Sequence, residues 1–576
     1  MILTIGINAN HADSSAVLFK DNELLYGVEE ERLNRIKHWA GFPENSIKEC
    51  IKLIDKNNIE EIDIAINSNI LSNFKDKIFF TLKNYIFGNK KFEIYKRLTN
   101  KLSLKKTLEE KFSGYKFKIN YIDHHLSHIA SSYYPSGYNK AYALSIDGFG
   151  DFCSIALAKC DNGKIDIIDK LLYPNSLGVF YEAFTQLLGF NNYGDEYKVM
   201  GLSSYGKPKY FEKINSEIFL DGIYPNLNLK YFDHHRKNFK YNFEGSPKQS
   251  TILNSKINNI FKVEDINIEK NFEYVSDIAA SIQKVFENKL NIILKNKIDK
   301  KFSENLVLSG GCALNSLSNG KIMESENFKN IFVPYSPGDS GGAIGASLYY
   351  LSNKHYFKKF VNIKSPYIGN KYPIDEIKKN LNKLDTSNFE IMEFNDNDKL
   401  FEIVTKSLVE SKIIGWFNGP MEYGPRSLGN RAILANPTNS QMKEIINRKI
   451  KRRENFRPFA PVIIQEEKSK WFKSGNKNPY MSFVETILPE KRSIIPAVTH
   501  VDGTGRVQTV NFDENPKLYK LIYKFFEFTK VPILLNTSFN ENEPIVENPA
   551  QAMNCFIRTE MDALVLENIL LIKNDN

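Results

Sequence analysis

The chain reads as an α/β protein of two domains, the first of them built by duplication, and three observations carry that prediction. A strand, an acidic turn and further strands occur twice, near residues 2–28 and again near residues 141–168. Glycine-rich turns that lead from strand to helix recur at Ser309-Gly310-Gly311 and at Pro337-Gly338-Asp339-Ser340-Gly341-Gly342. At 576 residues the chain also exceeds what one typical core serves.

Taken in order, Ile2 to Ile7 opens as a strand and turns at His11-Ala12-Asp13 into Ala16-Val17-Leu18-Phe19, and at Asp21-Asn22 into Leu24 to Val28. Lys106 to Phe112 reads as a helix. The second start runs from Ala141 to Asp147, then Ser154 to Ala158 and Ile165 to Ile168. Between Tyr274 and Ile293, Val275, Ile278, Ala279, Ile282, Val285 and Phe286 form a helical stripe, which is read as core. Leu306-Val307-Leu308 is a strand ahead of the Gly310 turn, with a helix from near Asn315. The pattern breaks around 354–368, where Ser365-Pro366 marks a boundary, so the domains are placed at 1–355 and 366–576. Strands Ile413 to Phe417 and Ile533 to Leu535 bracket the second, smaller α/β unit. Residues 220–270 are Asn- and Lys-rich and reveal no chemistry, and His234 and His235 are expected at the surface. The repeated strand pattern resembles the two halves of the actin and sugar-kinase nucleotide-binding fold.

Composition excludes several classes. Charged residues are 25% and hydrophobic ones 42%, an ordinary globular balance. The first residues form a short apolar strand with no basic leader, and no apolar run reaches membrane-spanning length, so neither a signal peptide nor a membrane span is expected. Five scattered cysteines, none spaced Cys-x-x-Cys, indicate neither a disulfide framework nor a zinc finger, and fit a reducing cytoplasm. The net charge of +9 comes largely from diffuse lysine; anionic small substrates explain it as well as nucleic acid does, and no RNA-stacking signature is present.

One group of residues looks like a metal ligand set. Asp123-His124-His125-Leu126-Ser127-His128 reads as a helix start, and a spacing of four puts His124 and His128 on one helical face. A strand delivers Asp147 into the Gly148-Phe149-Gly150 turn, and the second glycine turn presents Asp339. Two imidazoles, two carboxylates and open positions suit a divalent ion that takes oxygen ligands, with iron ahead of manganese or zinc.

Other motifs point to anions. Glycine turns between strand and helix leave N–H groups for phosphate, which makes Gly310, Gly311 and Asn315 candidates, with Lys198 beside Gly201 a weaker one. In the second domain, Glu422-Tyr423-Gly424-Pro425-Arg426-Ser427-Leu428-Gly429-Asn430-Arg431 is followed by Asn447, Lys449, Lys451, Arg452, Arg453 and Arg457. That run ends in the proline-fixed Arg457-Pro458-Phe459-Ala460-Pro461, so part of it is carried onto a semi-buried surface, where an unpaired cation is costly. Arginine forks match phosphate or carboxylate. His500 to Thr509, with Arg506, and Leu535 to Asn540, with Asn536 and Ser538, add further donors, and a polyanion pocket is expected.

Taken together with Glu29-Glu30-Glu31-Arg32, Arg35-Ile36-Lys37-His38 and Gly310-Gly311-Cys312-Ala313-Leu314-Asn315, these motifs resemble, in order and over nearly the whole chain, the O-carbamoyltransferase family of nodulation-factor, cephamycin and aminoglycoside biosynthesis. In that family the first domain is similar to tRNA threonylcarbamoyl-transfer enzymes and the second to threonylcarbamoyl-adenylate synthases. The resemblance implies that the second domain makes carbamoyl-adenylate from carbamoyl phosphate and ATP with Mg, using Arg426, Arg431, Lys451, Arg453, Arg457, Arg506, Asn536 and Ser538. The first domain, with its metal, would hold the adenylate at Lys198, Gly201, Gly310, Gly311 and Asn315 and pass the carbamoyl group to a sugar-type hydroxyl. Lys37 would stabilise negative charge. His11 is the candidate base and Asp13 the fallback, because Ala12 intervenes where the family has His directly before Asp. Two alternatives stay open: an ATP-dependent sugar kinase or hydrolase on the same fold, which leaves the second-domain cations idle, and a tRNA-modifying enzyme of the threonylcarbamoyl-transfer type. Hydrogenase-maturation carbamoyltransferases carry Cys-x-x-Cys fingers that are absent here.

Overall fold

Two five-stranded sheets with the same strand order frame the first part of the chain. The first contains β1 (Leu3–Asn8), β2 (Ser15–Lys20), β3 (Glu23–Glu29), β4 (Ile62–Ile66) and β5 (Phe117–Tyr121), in the order β3-β2-β1-β4-β5. The second contains β6 (Lys140–Gly150), β7 (Cys153–Asp161), β8 (Lys164–Leu172), β9 (Asn305–Ser309) and β10 (Asn330–Phe332), in the order β10-β9-β6-β7-β8. In each, three strands form an antiparallel meander and two more join in parallel on the far side of the first strand. This is the duplicated actin and sugar-kinase-like architecture. The structure is a computed structural model that describes residues 2–55, 61–85, 104–236, 245–248, 250–385 and 387–574.

Burial explains why these strands form. Every residue of β1, and all of β2 but Lys20, is inside, polar Thr4, Asn8 and Ser15 included, as expected when a sheet is covered on two faces. Strand β8, at a sheet edge, instead begins with charged and apolar residues in alternation, with Lys164 and Asp166 exposed. The stripe from Val275 to Phe286 is buried on the helix Phe272–Lys297, as its periodicity predicts.

Two helices carry three of the four candidate metal ligands. His124–Ser136 lies between β5 and β6, and Asp123 caps it by accepting hydrogen bonds from the N–H groups of His125 and Leu126. Asp339–Lys354 packs along it at Gly345, where a Cβ would fall 1.7 Å from the Ser127 carbonyl oxygen, so only glycine permits the approach. That approach brings Asp339, the first residue of its helix, to His124 and His128.

By packing, the chain divides into two compact units, one of residues 1–315 with 325–364 and the other of 316–324 with 365–576. The helix Ser316–Glu324 thus packs with the second unit although it follows the Gly310 turn of the first. Val484 N–H donates to the Ser316 carbonyl, and Asn319 Nδ2 donates to the Ser482 carbonyl. The second unit holds β11 (Phe389–Glu393), β12 (Ile414–Phe417), β13 (Arg431–Ala435), β14 (Ala460–Ile464), β15 (Glu485–Thr486), β16 (Thr504–Gly505), β17 (Gln508–Val510), β18 (Ile533–Ser538), β19 (Ala563–Leu566) and β20 (Ile569–Lys573). Its eight-stranded sheet runs β11-β20-β19-β12-β13-β18-β14-β17, and β15 pairs with β16 in a short ribbon.

Two expectations need correction. His234 and His235 are buried, 1% and 6% exposed, with His234 Nε2 2.9 Å from the Pro174 carbonyl oxygen and its ring edge-on to Tyr173. The polar composition of 220–270 concealed a set of apolar anchors, Leu227, Tyr231, Phe232, Leu253 and Ile257 among them, that draws this stretch inward. Residues 237–244 and 249 of the stretch lie outside the described residues. Lys198 and Gly201 sit within the helix Glu196–Leu202 rather than at a glycine turn, and Lys198 pairs with Asp195 at 3.2 Å. Among the described residues no helix is long and apolar enough to cross a membrane.

Candidate metal centre and anion site

His124, His128, Asp147 and Asp339 converge as one buried cluster in the first unit, with one ligand atom of each within 4.8 Å of all the others. His124 Nε2 stands 3.0 Å from His128 Nε2, 3.0 Å from Asp147 Oδ2 and 3.6 Å from Asp339 Oδ1. His128 Nε2 stands 3.7 Å from Asp147 Oδ2 and 3.4 Å from Asp339 Oδ1. Four donors held about 2.0–2.2 Å from one ion at tetrahedral angles would lie roughly 3.3–3.6 Å apart, so the observed spacings fit a coordination shell. The chemistry fits as well: Asp339 Oδ1 is buried and accepts no hydrogen bond. Burial opposes charge on both carboxylates, but the imidazole contacts outweigh it. His11 and His128 hold Asp339 below the usual range, and His124 and His128 hold Asp147 well below it.

Neighbouring groups fix each ligand. Gly311 N–H donates to Asp147 Oδ1 at 3.0 Å, and Gly310 turns at φ +84 where a Cβ would strike the Ile146 carbonyl. The Gly310-Gly311 turn, expected on phosphate, therefore uses at least one N–H to orient Asp147. Asn315, another expected adenylate contact, exchanges two hydrogen bonds with Gln283, at 2.9 and 3.1 Å. The middle histidine of the motif is structural: His125 lies 2.8 Å from Ser145 Oγ and 3.0 Å from the Cys153 carbonyl, and burial followed by its two His neighbours pushes it down to about 4.

The loop between β1 and β2 brings His11 to this cluster. Asn8 Nδ2 holds the carbonyls of Ala12 and Asp13, and His11 Nδ1 lies 2.6 Å from Asp339 Oδ2. A carboxylate only accepts, so Nδ1 carries a proton. Asp13 faces His38 instead, with Nδ1 2.7 Å from Oδ1, and the His38 N–H donates to Glu31 Oε2 at 2.8 Å. Burial disfavours charge on His38, but Asp13 and Glu31 override it and raise the imidazolium to about 9. Lys37 is exposed beside it.

In the second unit the cations expected on an anion separate into two kinds. Arg431 is fully buried, and its guanidinium donates to the carbonyls of Asn418, Gly419, Asn430, Asn370 and Glu547 while stacking 3.6 Å over the Phe417 ring. Lys451 is caged by oxygens of Ser538 and Asn540. Both were expected on the polyanion and instead brace backbone, because buried carbonyls at bends need donors as much as ligands do. Arg453 is partly committed, to Asn447 Oδ1 at 2.7 Å and over Phe459. Asn536 Nδ2 donates to Gln508, and Ser538 Oγ to Asn540.

Arg426, Arg506 and Arg457 form a group, in which Arg457 pairs with Glu454 at 3.4 Å. Glu422 Oε1 accepts from the N–H groups of Leu428, Asn430 and Arg431, which shapes the loop that carries Arg426. Arg426 donates to the Tyr480 carbonyl at 3.1 Å, and burial followed by Arg506 pushes it down to about 9. Arg506 makes no hydrogen bond or ion pair among the described residues, although it is half-buried; burial and then Arg457 push it down to about 10. A half-buried arginine without a counter-ion, set between two other arginines, calls for an anion.

Residues 3–348 match the family profile of the carbamoyltransferase N-terminus, and residues 405–573 that of the carbamoyltransferase C-terminus. The chain belongs to the carbamoyltransferase family. This carbamoyltransferase is 32% identical to nodulation protein NolNO of Sinorhizobium fredii, over 97% of this chain and 79% of that one. It is 35% identical to an uncharacterized protein of Synechocystis sp., over 99% and 96% of the two chains. Among solved structures, the activator of the 2-hydroxyisocaproyl-CoA dehydratase from Clostridium difficile is similar over 62% of this chain and 96% of that one, at 14% identity and a TM-score of 0.31.

Some residues near the candidate site escaped sequence reasoning. His38 stood in a quoted motif without a role. Glu182 and Glu196 line a shallow recess with Gln186, Asn192 and Tyr193; burial and then Glu196 and Asp147 raise Glu182, and burial raises Glu196 against the pull of His38. A lone acid in the otherwise apolar Tyr181-Glu182-Ala183-Phe184 was the signal for the first.

Proposed function

We propose that this carbamoyltransferase works in two steps, one per unit. In the second unit, carbamoyl phosphate, ATP and one water yield carbamoyl-adenylate, phosphate and pyrophosphate. In the first unit, an acceptor hydroxyl of a sugar-type molecule attacks the carbamoyl carbon, the bond to AMP breaks, and the hydroxyl proton leaves to a base. The observation that carries this reading is Arg506, a half-buried cation without a counter-ion beside Arg426 and Arg457, since a carbamoyltransferase that drew on a ready-made activated donor would have no use for an anion site in a second unit. A sugar-type acceptor is what the resemblance to the O-carbamoyltransferases of nodulation-factor and antibiotic biosynthesis implies.

A divalent ion held by His124, His128, Asp147 and Asp339, with iron the first candidate, would supply Lewis-acid polarisation of a substrate oxygen. His11, tied through Nδ1 to Asp339, offers Nε2 to the acceptor proton. His38 and Lys37 add positive charge where negative charge develops.

The test is to supply purified protein with carbon-labelled carbamoyl phosphate, ATP and a panel of sugars and nucleotide sugars. Label should enter an acceptor only when ATP is present, with one pyrophosphate released per carbamoyl transferred. Transfer without ATP overturns the two-step reading.

A further inference from the structure

Beside Arg506 stands a histidine whose hydrogen bonding leaves one nitrogen bare. His500 Nδ1 lies 3.1 Å from Thr504 Oγ1, and Thr504 Oγ1 in turn donates to Asp502 Oδ1 at 2.7 Å. A carboxylate oxygen only accepts, so the hydroxyl proton points to Asp502 and the hydroxyl lone pair receives Nδ1–H. His500 Nε2 is then an acceptor without a proton, and it is buried without a hydrogen-bond partner. The groups in electrostatic reach of it are Asp502, Arg506 and Lys443, and burial together with the two cations keeps the ring neutral, pushed down to about 4.

A buried lone pair amid cations asks for a neutral N–H or O–H donor on a ligand that is otherwise anionic. We infer that His500 Nε2 accepts a hydrogen bond from the amide NH₂ of the carbamoyl group while the neighbouring arginines hold the adjoining phosphate or carboxylate oxygens, which makes His500 a specificity-determining residue for the carbamoyl donor. Carbamoyl phosphate carries its anionic group and its N–H donors within one small molecule, so both fit side by side. The exocyclic amine of ATP fits less well, being separated from its phosphates by the ribose. This inference rests on the proposed use of carbamoyl phosphate.

The experiment compares carbamoyl phosphate with acetyl phosphate, which replaces NH₂ by CH₃, and separately with ATP, as ligands of the full chain by calorimetry, in wild type, His500→Leu and His500→Gln. Wild type should prefer carbamoyl phosphate. His500→Leu should reduce that preference by about tenfold, the scale of one hydrogen bond, while its affinity for acetyl phosphate stays the same. The amide oxygen of His500→Gln should restore part of the preference. An equal loss for both ligands, or a loss confined to ATP, overturns the inference and leaves the proposed function standing. Absence of carbamoyl phosphate binding to wild type overturns both.

Discussion

His11 Nδ1 and Asp339 Oδ2, 328 residues apart in the chain, lie 2.6 Å from each other, while the other oxygen of Asp339 faces the two imidazoles of the cluster. One carboxylate thus serves the candidate base and the candidate ion at once. Substituting His11→Ala should slow carbamoyl transfer by about a hundredfold with carbamoyl-adenylate still formed. Asp13→Asn, which removes the charge facing His38, should cost less. The reverse ranking in a transfer assay would move the base to Asp13.

Metal content gives a second check. His128→Ala leaves three donors of four and should lower the divalent metal per chain severely in elemental analysis, with little change in the circular dichroism spectrum. Full occupancy in that variant would sink the ligand assignment.

The two half-reactions should come apart. Arg506→Ala should abolish pyrophosphate release dependent on carbamoyl phosphate, whereas Asp339→Ala should keep that release and lose transfer to acceptor. Equal loss of pyrophosphate release in both variants would rule out the division of labour between units.

Stability should separate the two kinds of arginine. Arg431→Met would take a donor from five backbone carbonyls, of which only those of Asn370 and Asn430 keep a backbone N–H, and is expected to destabilise the fold by about 3 kcal/mol or more in urea titrations. Arg506→Ala should leave the midpoint unchanged or raise it slightly, because it removes an unpaired half-buried charge. Similar losses in both would mean that Arg506 is structural.

His38 should make stability depend on pH. Its folded value, near 9, exceeds an unfolded value near 6.5, so between those pH values the folded chain binds the extra proton. The contribution is fully present below about pH 6.5 and is lost as pH rises through about 9. About a third of the side chain reaches solvent, which trims the effect. Melting temperatures of wild type and His38→Gln should converge between pH 6.5 and 9.5; a constant gap would refute the ion pair.

Much of the fold was legible because it rests on local pattern. The repeated strand openings, the helical stripe around Ile278 and the four-residue spacing of His124 and His128 each report a period that the backbone imposes. What local pattern does not carry is the destination of a polar side chain. Arg431 and Arg506 look alike in sequence, and only packing reveals that one holds carbonyls while the other has none to hold. His234, the Lys198 ion pair and the bare nitrogen of His500 were hidden for the same reason, since each depends on a partner chosen by tertiary structure.

The helix Ser316–Glu324 has a consequence for how such a protein can be inherited or taken apart. Its residues belong by packing to the unit that otherwise starts at residue 365, so the chain passes from one unit to the other three times. No single cut in the gene yields two self-contained products: a fragment ending at residue 364 would carry a helix stripped of its neighbours, and the complementary fragment would lack the helix that Val484 and Ser482 rest on. Exchange of acceptor or donor specificity by recombination is thereby restricted to the full length, and two separately expressed halves should regain activity only when the second is supplied with residues 316–324.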